Sequence, residues 1–308
     1  MKLASMDLNL LVALDVLLEE QSVTRAAERL FIGQPAMSAT LTRLRSVFDD
    51  PLLVRDGRGM RTSPVAESLR APLASILSSI HHLVDSAGAF NPVESHRVFT
   101  VTASDYVGLV LLRPLLEYLS TAAPHLQIHV FPVQPNLIDD VARGVFDLAI
   151  YPRNLLPNNH PFHTEALFED EFVCVVDADH PTVAEELTAE QFSILPYLAS
   201  HQGIMRSVVE SYLDECGLMR NTVMTTQSFV VAPFLLAGTP MFTLTQRRVT
   251  TILAGTHGFR VLDSPHRLPA VEEVMLWAPR NTSDAGLAWL RSVLKMLADR
   301  LEPLYQSH

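Results

Sequence analysis

In the first 86 residues apolar side chains recur every three or four positions, whereas from residue 98 onward they gather in runs of five or six separated by helical stretches. A change of period of this kind calls for two sorts of structure in one chain: a helical unit first, then an α/β unit. A length of 308 residues, 48% of them hydrophobic and 19% charged, supports two or three cores rather than one. The expected division is a domain over 1–63, a linker over 64–92 and a larger domain over 93–308.

Residues 7–19 read as a mostly buried helix capped by Asp7, with Leu10, Leu11, Leu14, Val16, Leu17 and Leu18 spread over three turns. Ser22 caps a second helix that turns Val23, Ala26, Ala27 and Leu30 inward. After the break at Ile32-Gly33 a third helix opens with Pro35 in its first turn and buries Met37, Leu41, Leu44 and Phe48. Its other face carries Gln34, Ser38, Thr42 and Arg45. Two short helices joined by a turn containing glycine fit a helix-turn-helix, whose second helix enters the DNA major groove. The side chains suit that task, since Gln pairs with adenine edges, Ser donates or accepts, and Arg pairs with guanine or phosphate. An ordinary helical hairpin needs the same amphipathic faces and remains the alternative.

Residues 52–62 are apolar and interrupted by Asp56-Gly57, which predicts a β-hairpin wing with arginines at its tip, placed for phosphates or the minor groove. A solvated charged turn is the bland alternative. Ser63-Pro64 then starts a helix over 64–86, in which Leu69, Leu73, Ile76, Ile80 and Leu83 form a heptad seam read as a dimerising face. Pro72 is expected to kink that helix or to cost about 3 kcal/mol. His81 and His82, near its end, favour the helix dipole, and residues 87–92 mark the boundary.

Beyond the boundary, strands are expected at 98–103, 126–131, 146–151, 172–176, 241–245 and 274–278, and helices at 106–121, 136–143, 204–216, 229–237 and 285–301. Sheets of this kind take ligands at the C-terminal ends of their strands. Ser104-Asp105-Tyr106, directly after the first strand, is therefore an expected anion or polar-ligand seat.

The net charge of −11 argues superficially against a nucleic-acid partner. It is unevenly placed: residues 1–92 carry 9 Arg/Lys against 10 Asp/Glu, and residues 93–308 carry 14 against 24. Arg43, Arg45, Arg55, Arg58 and Arg61 fall within nineteen residues, so a local basic face fits the N-terminal unit. No apolar run is long enough to cross a bilayer, and residues 1–7 do not resemble a secretion signal, which places the protein in the cytoplasm without membrane association. Two cysteines, Cys174 and Cys216, are too few for a disulfide framework; plain thiols are expected, with a redox pair as the alternative. No cofactor or metal is expected. The pair His160 and His163 lies in an expected loop without cysteine or carboxylate ligands at a recognised spacing.

Taken together, Asp7-Leu8-Asn9-Leu10-Leu11, Ser22-Val23-Thr24-Arg25-Ala26-Ala27, Gln34-Pro35-Ala36-Met37-Ser38, Arg43-Leu44-Arg45 and Asp50-Pro51-Leu52-Leu53-Val54-Arg55 resemble the N-terminal signature of LysR-type transcriptional regulators. Within that family the likeness is to the branch of nodulation regulators and regulators of aromatic-compound catabolism, and it extends more weakly to the end of the chain. The resemblance implies a winged helix-turn-helix, a dimerising linker helix, and an effector domain of two Rossmann-like lobes similar to periplasmic binding proteins. It implies a homodimer or homotetramer, a small-molecule inducer, and promoter DNA carrying an interrupted inverted repeat, with RNA polymerase a candidate contact. Ser22, Thr24, Gln34, Pro35, Ser38, Thr42, Arg43 and Arg45, with Arg55 and Arg58 in the wing, become the expected DNA-contacting set. The family usually has Ser where Gly33 stands, so a side-chain cap or phosphate contact is missing here.

For the inducer, the resemblance points to Ser104, Asp105, Glu171, Tyr197, Ser228, Phe229 and Arg247. The branch often has His at the positions of Tyr197 and Glu171, and Pro near Thr245. The expected arrangement is an aromatic or carboxylate compound between the lobes, with Arg247 as counter-charge and Phe229 as an apolar wall. The same residues would also serve as lobe-packing and hinge residues.

Three other functions compete. An enzyme would need a catalytic motif, and no G-x-G-x-x-G, G-x-x-x-x-G-K-[ST], G-x-S-x-G or H-E-x-x-H is present. A secreted solute-binding protein would leave the first 90 residues without a purpose. A nucleoid protein that coats DNA would need a generally basic surface.

Overall fold

The computed structural model describes residues 7–56, 59–85, 90–202, 205–255 and 258–301. The chain separates into two units, Met1–Gly88 and Ala89–His308.

In the first unit, α1 (Asn9–Glu20) is apolar around most of its circumference because α2 (Val23–Arg29), α3 (Gln34–Phe48) and α4 (Pro64–Asp85) all pack on it. Leu14, Leu17, Leu18, Met37 and Leu44 lie at the centre of that core. Ser22 Oγ accepts the Arg25 N–H at 3.4 Å and caps α2 as expected, whereas the N-cap of α1 is Leu8, without a side-chain bond, and Asp7 just before it accepts the Asn9 N–H at 3.0 Å. The turn between α2 and α3 falls at the expected break: Gly33 is the N-cap of α3, extended (φ −68°) and without a side-chain bond, and Phe31 just before it takes the left-handed conformation, at φ +55°. The wing is a two-stranded hairpin, β1 (Leu53–Asp56) and β2 (Gly59–Thr62). Its Gly57-Arg58 tip lies outside the described residues.

Helix α4 begins on Ser63, whose hydroxyl accepts the Ala66 N–H at 3.0 Å, and runs through Pro72 without a break. The seam expected along it is only partly free. Ala66, Leu69, Leu73 and Leu77 pack into the core of their own unit because α1 offers an apolar flank there, whereas Ile76 stays 46% exposed. The side chains of His81, His82 and Leu83, and the 86–89 boundary, lie outside the described residues.

The second unit has two lobes. From β3 (Val98–Thr102) the chain enters α5 (Asp105–Val107), passes a π-helical turn, Gly108–Leu112, and continues as α6 (Arg113–Ala122). Next come β4 (Gln127–Phe131), α7 (Leu137–Arg143), β5 (Leu148–Pro152) and β6 (His163–Asp170). The second lobe holds β7 (Phe172–Asp177), α8 (Ala189–Ile194), β8 (Pro196–Gln202), β9 (Met205–Arg206), α9 (Val208–Glu215), β10 (Asn221–Thr226), β11 (Phe242–Gln246), α10 (Arg247–Leu253) and β12 (Phe259–Leu262). The chain then returns as β13 (Val271–Trp277) and ends in α11 (Ala285–Ala298). The first lobe's sheet runs β4-β3-β5-β13-β6, and the second's runs β10-β8-β11-β7-β12. Each joins parallel βαβ strands to antiparallel ones. A buried ion pair, Arg97 to Asp284 at 2.7 Å, ties the start of β3 to the cap of α11.

Several elements depart from the sequence reading. Residues 229–237 form only a short 3-10 turn, Ala232–Leu236, since Pro233 removes a donor and Gly238 ends the run. The helix expected over 204–216 is Val208–Glu215, preceded by β9, and Ile204 lies outside the described residues. Strands β6, β8, β10 and β12 were not expected, and His163, assigned to a loop, opens β6.

Candidate DNA-reading face and interlobe cleft

On α3 the buried Met37, Leu41 and Leu44 fix which way the helix faces, so Gln34, Pro35, Ser38, Thr42 and Arg43 are held exposed. Thr42 Oγ1 donates back to the Ser38 carbonyl at 3.0 Å, which links two residues of the exposed face. Thr24 and Arg55 are also exposed, while Ser22 is occupied as a cap. Arg58 lies outside the described residues. Arg45 is half-buried, and its guanidinium donates to the carbonyls of Pro51 (2.9 Å) and Leu53 (3.1 Å). It therefore fastens the root of the wing to α3. Arg25 and Arg29 are engaged with Glu20, and Arg29 also with Glu19.

In the second unit, Ser104 Oγ accepts the Val107 N–H at 3.3 Å and so opens the helix after β3. Asp105 points across to the other lobe, where Ser228 Oγ (2.5 Å), Phe229 N–H (3.2 Å) and Val230 N–H (3.1 Å) donate to its carboxylate. Phe229 is enclosed among first-lobe residues such as Tyr106 and Val110. Beside this bridge is a cavity of about 160 Å³ lined by Ser104, Asp105, Val133, Gln134, Gln227 and Phe229, among others. Sequence reasoning found three of these six; the glutamines and Val133 sit in loops with no motif of their own.

The other three expected residues, Glu171, Tyr197 and Arg247, stand elsewhere. Arg247 pairs with Glu171 and, at 3.0 Å, with Asp263, at the place where the chain crosses between lobes. Glu171 and Arg247 thus join each other rather than presenting a bare counter-charge. Tyr197 is fully enclosed in the second lobe, donating its hydroxyl to Glu210, so it has no surface to offer a ligand; β8 places it in the core. Burial, followed by the Glu210 charge, pushes its hydroxyl well above the ordinary tyrosine range.

A buried acidic cluster lies where β6 and β13 meet the lobe crossing. Tyr106 donates to Asp170 at 2.6 Å, and Arg248 Nε stands 4.0 Å from the same carboxylate oxygen. Burial raises the Asp170 carboxyl against the bond from Tyr106. Glu273, 1% exposed, is pushed up to about 8 by burial and by the neighbouring Asp170 charge. Cys174 is buried, its thiol raised to about 12 by burial, and Cys216 is exposed; both are free. Among the described residues no helix is long and apolar enough to cross a membrane.

The two units define a class: a winged helix-turn-helix joined to a two-lobed domain with a cavity between its lobes. Residues 8–67 match the bacterial regulatory helix-turn-helix family of LysR type, and residues 93–298 match the LysR substrate binding domain. The chain is 33% identical over 305 residues to nodulation protein D 1 of Rhizobium leguminosarum bv. phaseoli, covering 98% of this chain and 96% of that protein. It is 32% identical over 303 residues to nodulation protein D 1 of Mesorhizobium japonicum, with coverages of 98% and 96%. A probable transcriptional regulator from Pseudomonas aeruginosa superposes with a TM-score of 0.79 at 28% identity, covering 96% of this chain and 98% of that one. CbnR, a LysR family transcriptional regulator, shares the fold with a TM-score of 0.66 at 12% identity, covering 95% and 99%. The chain belongs to the LysR family of transcriptional regulators, with a DNA-binding helix-turn-helix and an effector-binding domain.

Proposed function

We propose that the protein controls promoters by setting α3 in the major groove, with Gln34, Pro35, Ser38 and Thr42 toward base edges and Thr24, Arg43, Arg55 and Arg58 toward the backbone. Ser22 and Arg45 act indirectly, one by starting α2 and the other by holding the wing. The observation that carries this reading is the row Gln34, Ser38 and Thr42, exposed along the face opposite Met37 and Leu41. A homodimer or homotetramer presents two such helices to an interrupted inverted repeat, at a spacing of about one helical turn or a multiple of it. Its place is the cytoplasm, with RNA polymerase as a further contact at the promoter, and its role is regulation rather than catalysis. The three units of the chain are taken as 1–63, 64–92 and 93–308, the last binding a small molecule in the cavity between its lobes at Ser104, Asp105, Ser228 and Phe229. Glu171 and Arg247 serve the crossing between the lobes.

The test is a footprint on genomic DNA fragments at fixed salt, comparing the natural protein with Gln34→Ala and Arg55→Ala. A discrete protected dyad, blurred by Gln34→Ala and weakened evenly across sequences by Arg55→Ala, is expected. Uniform protection insensitive to Gln34→Ala would reduce the helix pair to a structural hairpin.

A further inference from the structure

The bridge between the lobes carries information about which ligands the cavity accepts. A hydroxyl and two consecutive backbone N–H groups, from Ser228, Phe229 and Val230, converge on one point, an arrangement suited to a carboxylate. That point is already filled by Asp105 of the opposite lobe. With the Tyr106 N–H at 2.9 Å, its two oxygens accept four hydrogen bonds. Among the described residues, Asp105 is also the only charged one lining the adjoining cavity, which has no Lys, Arg or His in its walls. The remaining walls offer the Gln134 and Gln227 amides and the apolar surfaces of Val133 and Phe229. Arg247, the cation expected to receive an anionic inducer, is held by Glu171 and Asp263.

From this we infer that the interlobe cavity rejects organic anions and takes a small neutral or cationic molecule that donates hydrogen bonds. A carboxylate brought into it would face the Asp105 charge with no cation to offset it and with the anion donors already taken. A hydroxyl or ammonium group meets the opposite situation: the negative charge of Asp105 nearby and two amide oxygens that accept from it. This rests on the reading that the cavity is the effector site.

The experiment is thermal unfolding of the full-length protein with three matched probes, benzylamine, benzyl alcohol and benzoate, and of a Val133→Trp variant that fills the cavity. Asp105→Ala and Asp105→Asn are examined with acetate. Benzylamine and benzyl alcohol are expected to raise the midpoint of the natural protein by about 3–5 °C at tenfold over their Kd, with no shift in Val133→Trp. Benzoate is expected to do nothing. Acetate is expected to stabilise Asp105→Ala, in which the three donors of the opposite lobe and the Tyr106 N–H are left open, but neither the natural protein nor Asp105→Asn, whose amide oxygen still occupies the seat. A benzoate shift in the natural protein that Val133→Trp abolishes would overturn the inference while leaving the cavity as the effector site. Failure of acetate to stabilise Asp105→Ala would overturn it likewise. If no probe shifts the natural protein, or if shifts persist in Val133→Trp, the cavity is not the effector site and the inference falls with that reading.

Discussion

The guanidinium of Arg45, on the recognition helix, donates to the carbonyl oxygen of Leu53, the first residue of the wing, at 3.1 Å. A second bond, to Pro51 at 2.9 Å, makes this one arginine a double link between α3 and the root of the wing. Charge-assisted bonds of this kind contribute about 1.5–3 kcal/mol each way when a partner is removed. Arg45→Ala is therefore expected to lower the unfolding midpoint of the N-terminal unit by several degrees and to weaken DNA binding through loss of wing position. Gln34→Ala, at an exposed position, is expected to leave the midpoint unchanged and to reduce affinity for the specific site by about tenfold to a hundredfold. Circular dichroism melts and fluorescence anisotropy on both variants separate the two roles; equal melting of both proteins would remove the structural role given to Arg45.

Phe31 holds a left-handed backbone conformation while its side chain is 95% exposed. An L-residue with a large side chain is disfavoured there by about 1–2 kcal/mol, and exposure leaves no packing to offset it. Asn tolerates that region. Phe31→Asn is expected to raise the midpoint of the N-terminal unit by about 4–8 °C per kcal/mol recovered. An unchanged or lower midpoint would show that the ring contributes something its exposure does not reveal.

Glu273 gives the effector domain a pH dependence of unusual sign. Its carboxyl is raised by burial to about 8 from an ordinary value of 4.5. Between those values the folded chain keeps a proton that the unfolded chain has released. Stability from this group is therefore fully present below about pH 4.5, falls as the pH rises, and levels off above about 8. Glu273→Gln is expected to remove that slope, with a midpoint close to that of the natural protein at pH 4.5 and above it at pH 8. Parallel stability curves for the two proteins would sink this account.

How much of this was legible beforehand varied with the range of the interaction. The helices of the first unit and the hairpin were readable because caps such as Ser22 and stripes such as Met37, Leu41 and Leu44 are local signals. Gly33 was readable as the break and cap before α3, but nothing in the sequence pointed to Phe31 as the left-handed residue of the turn. Strand β10 is exposed along nearly its whole length and β6 carries Glu165, Glu169 and Asp170, so neither shows a clean alternation. Strand β12 is only four residues long. The cleft was least legible. Ser104, Asp105, Ser228 and Phe229 were all named, but the bond from Ser228 to Asp105 spans 123 positions and no local pattern encodes it. Glu171 and Arg247 were likewise named, and their pairing was hidden by a separation of 76 positions.

The place of β13 sets the order in which this chain can be built. It lies between β5 and β6 in the first lobe's sheet, and among the described residues β6 pairs with no other strand. The second lobe, by contrast, is one continuous stretch from β7 to β12. On the ribosome, β5 and β6 therefore emerge as two open edges that cannot be closed until residues 271–277 have followed them out. The lobe begun first is completed last. A stalled or truncated chain ending near residue 270 would hold a finished second lobe beside two bare strand edges, a template for pairing between nascent chains and a natural mark for chaperones.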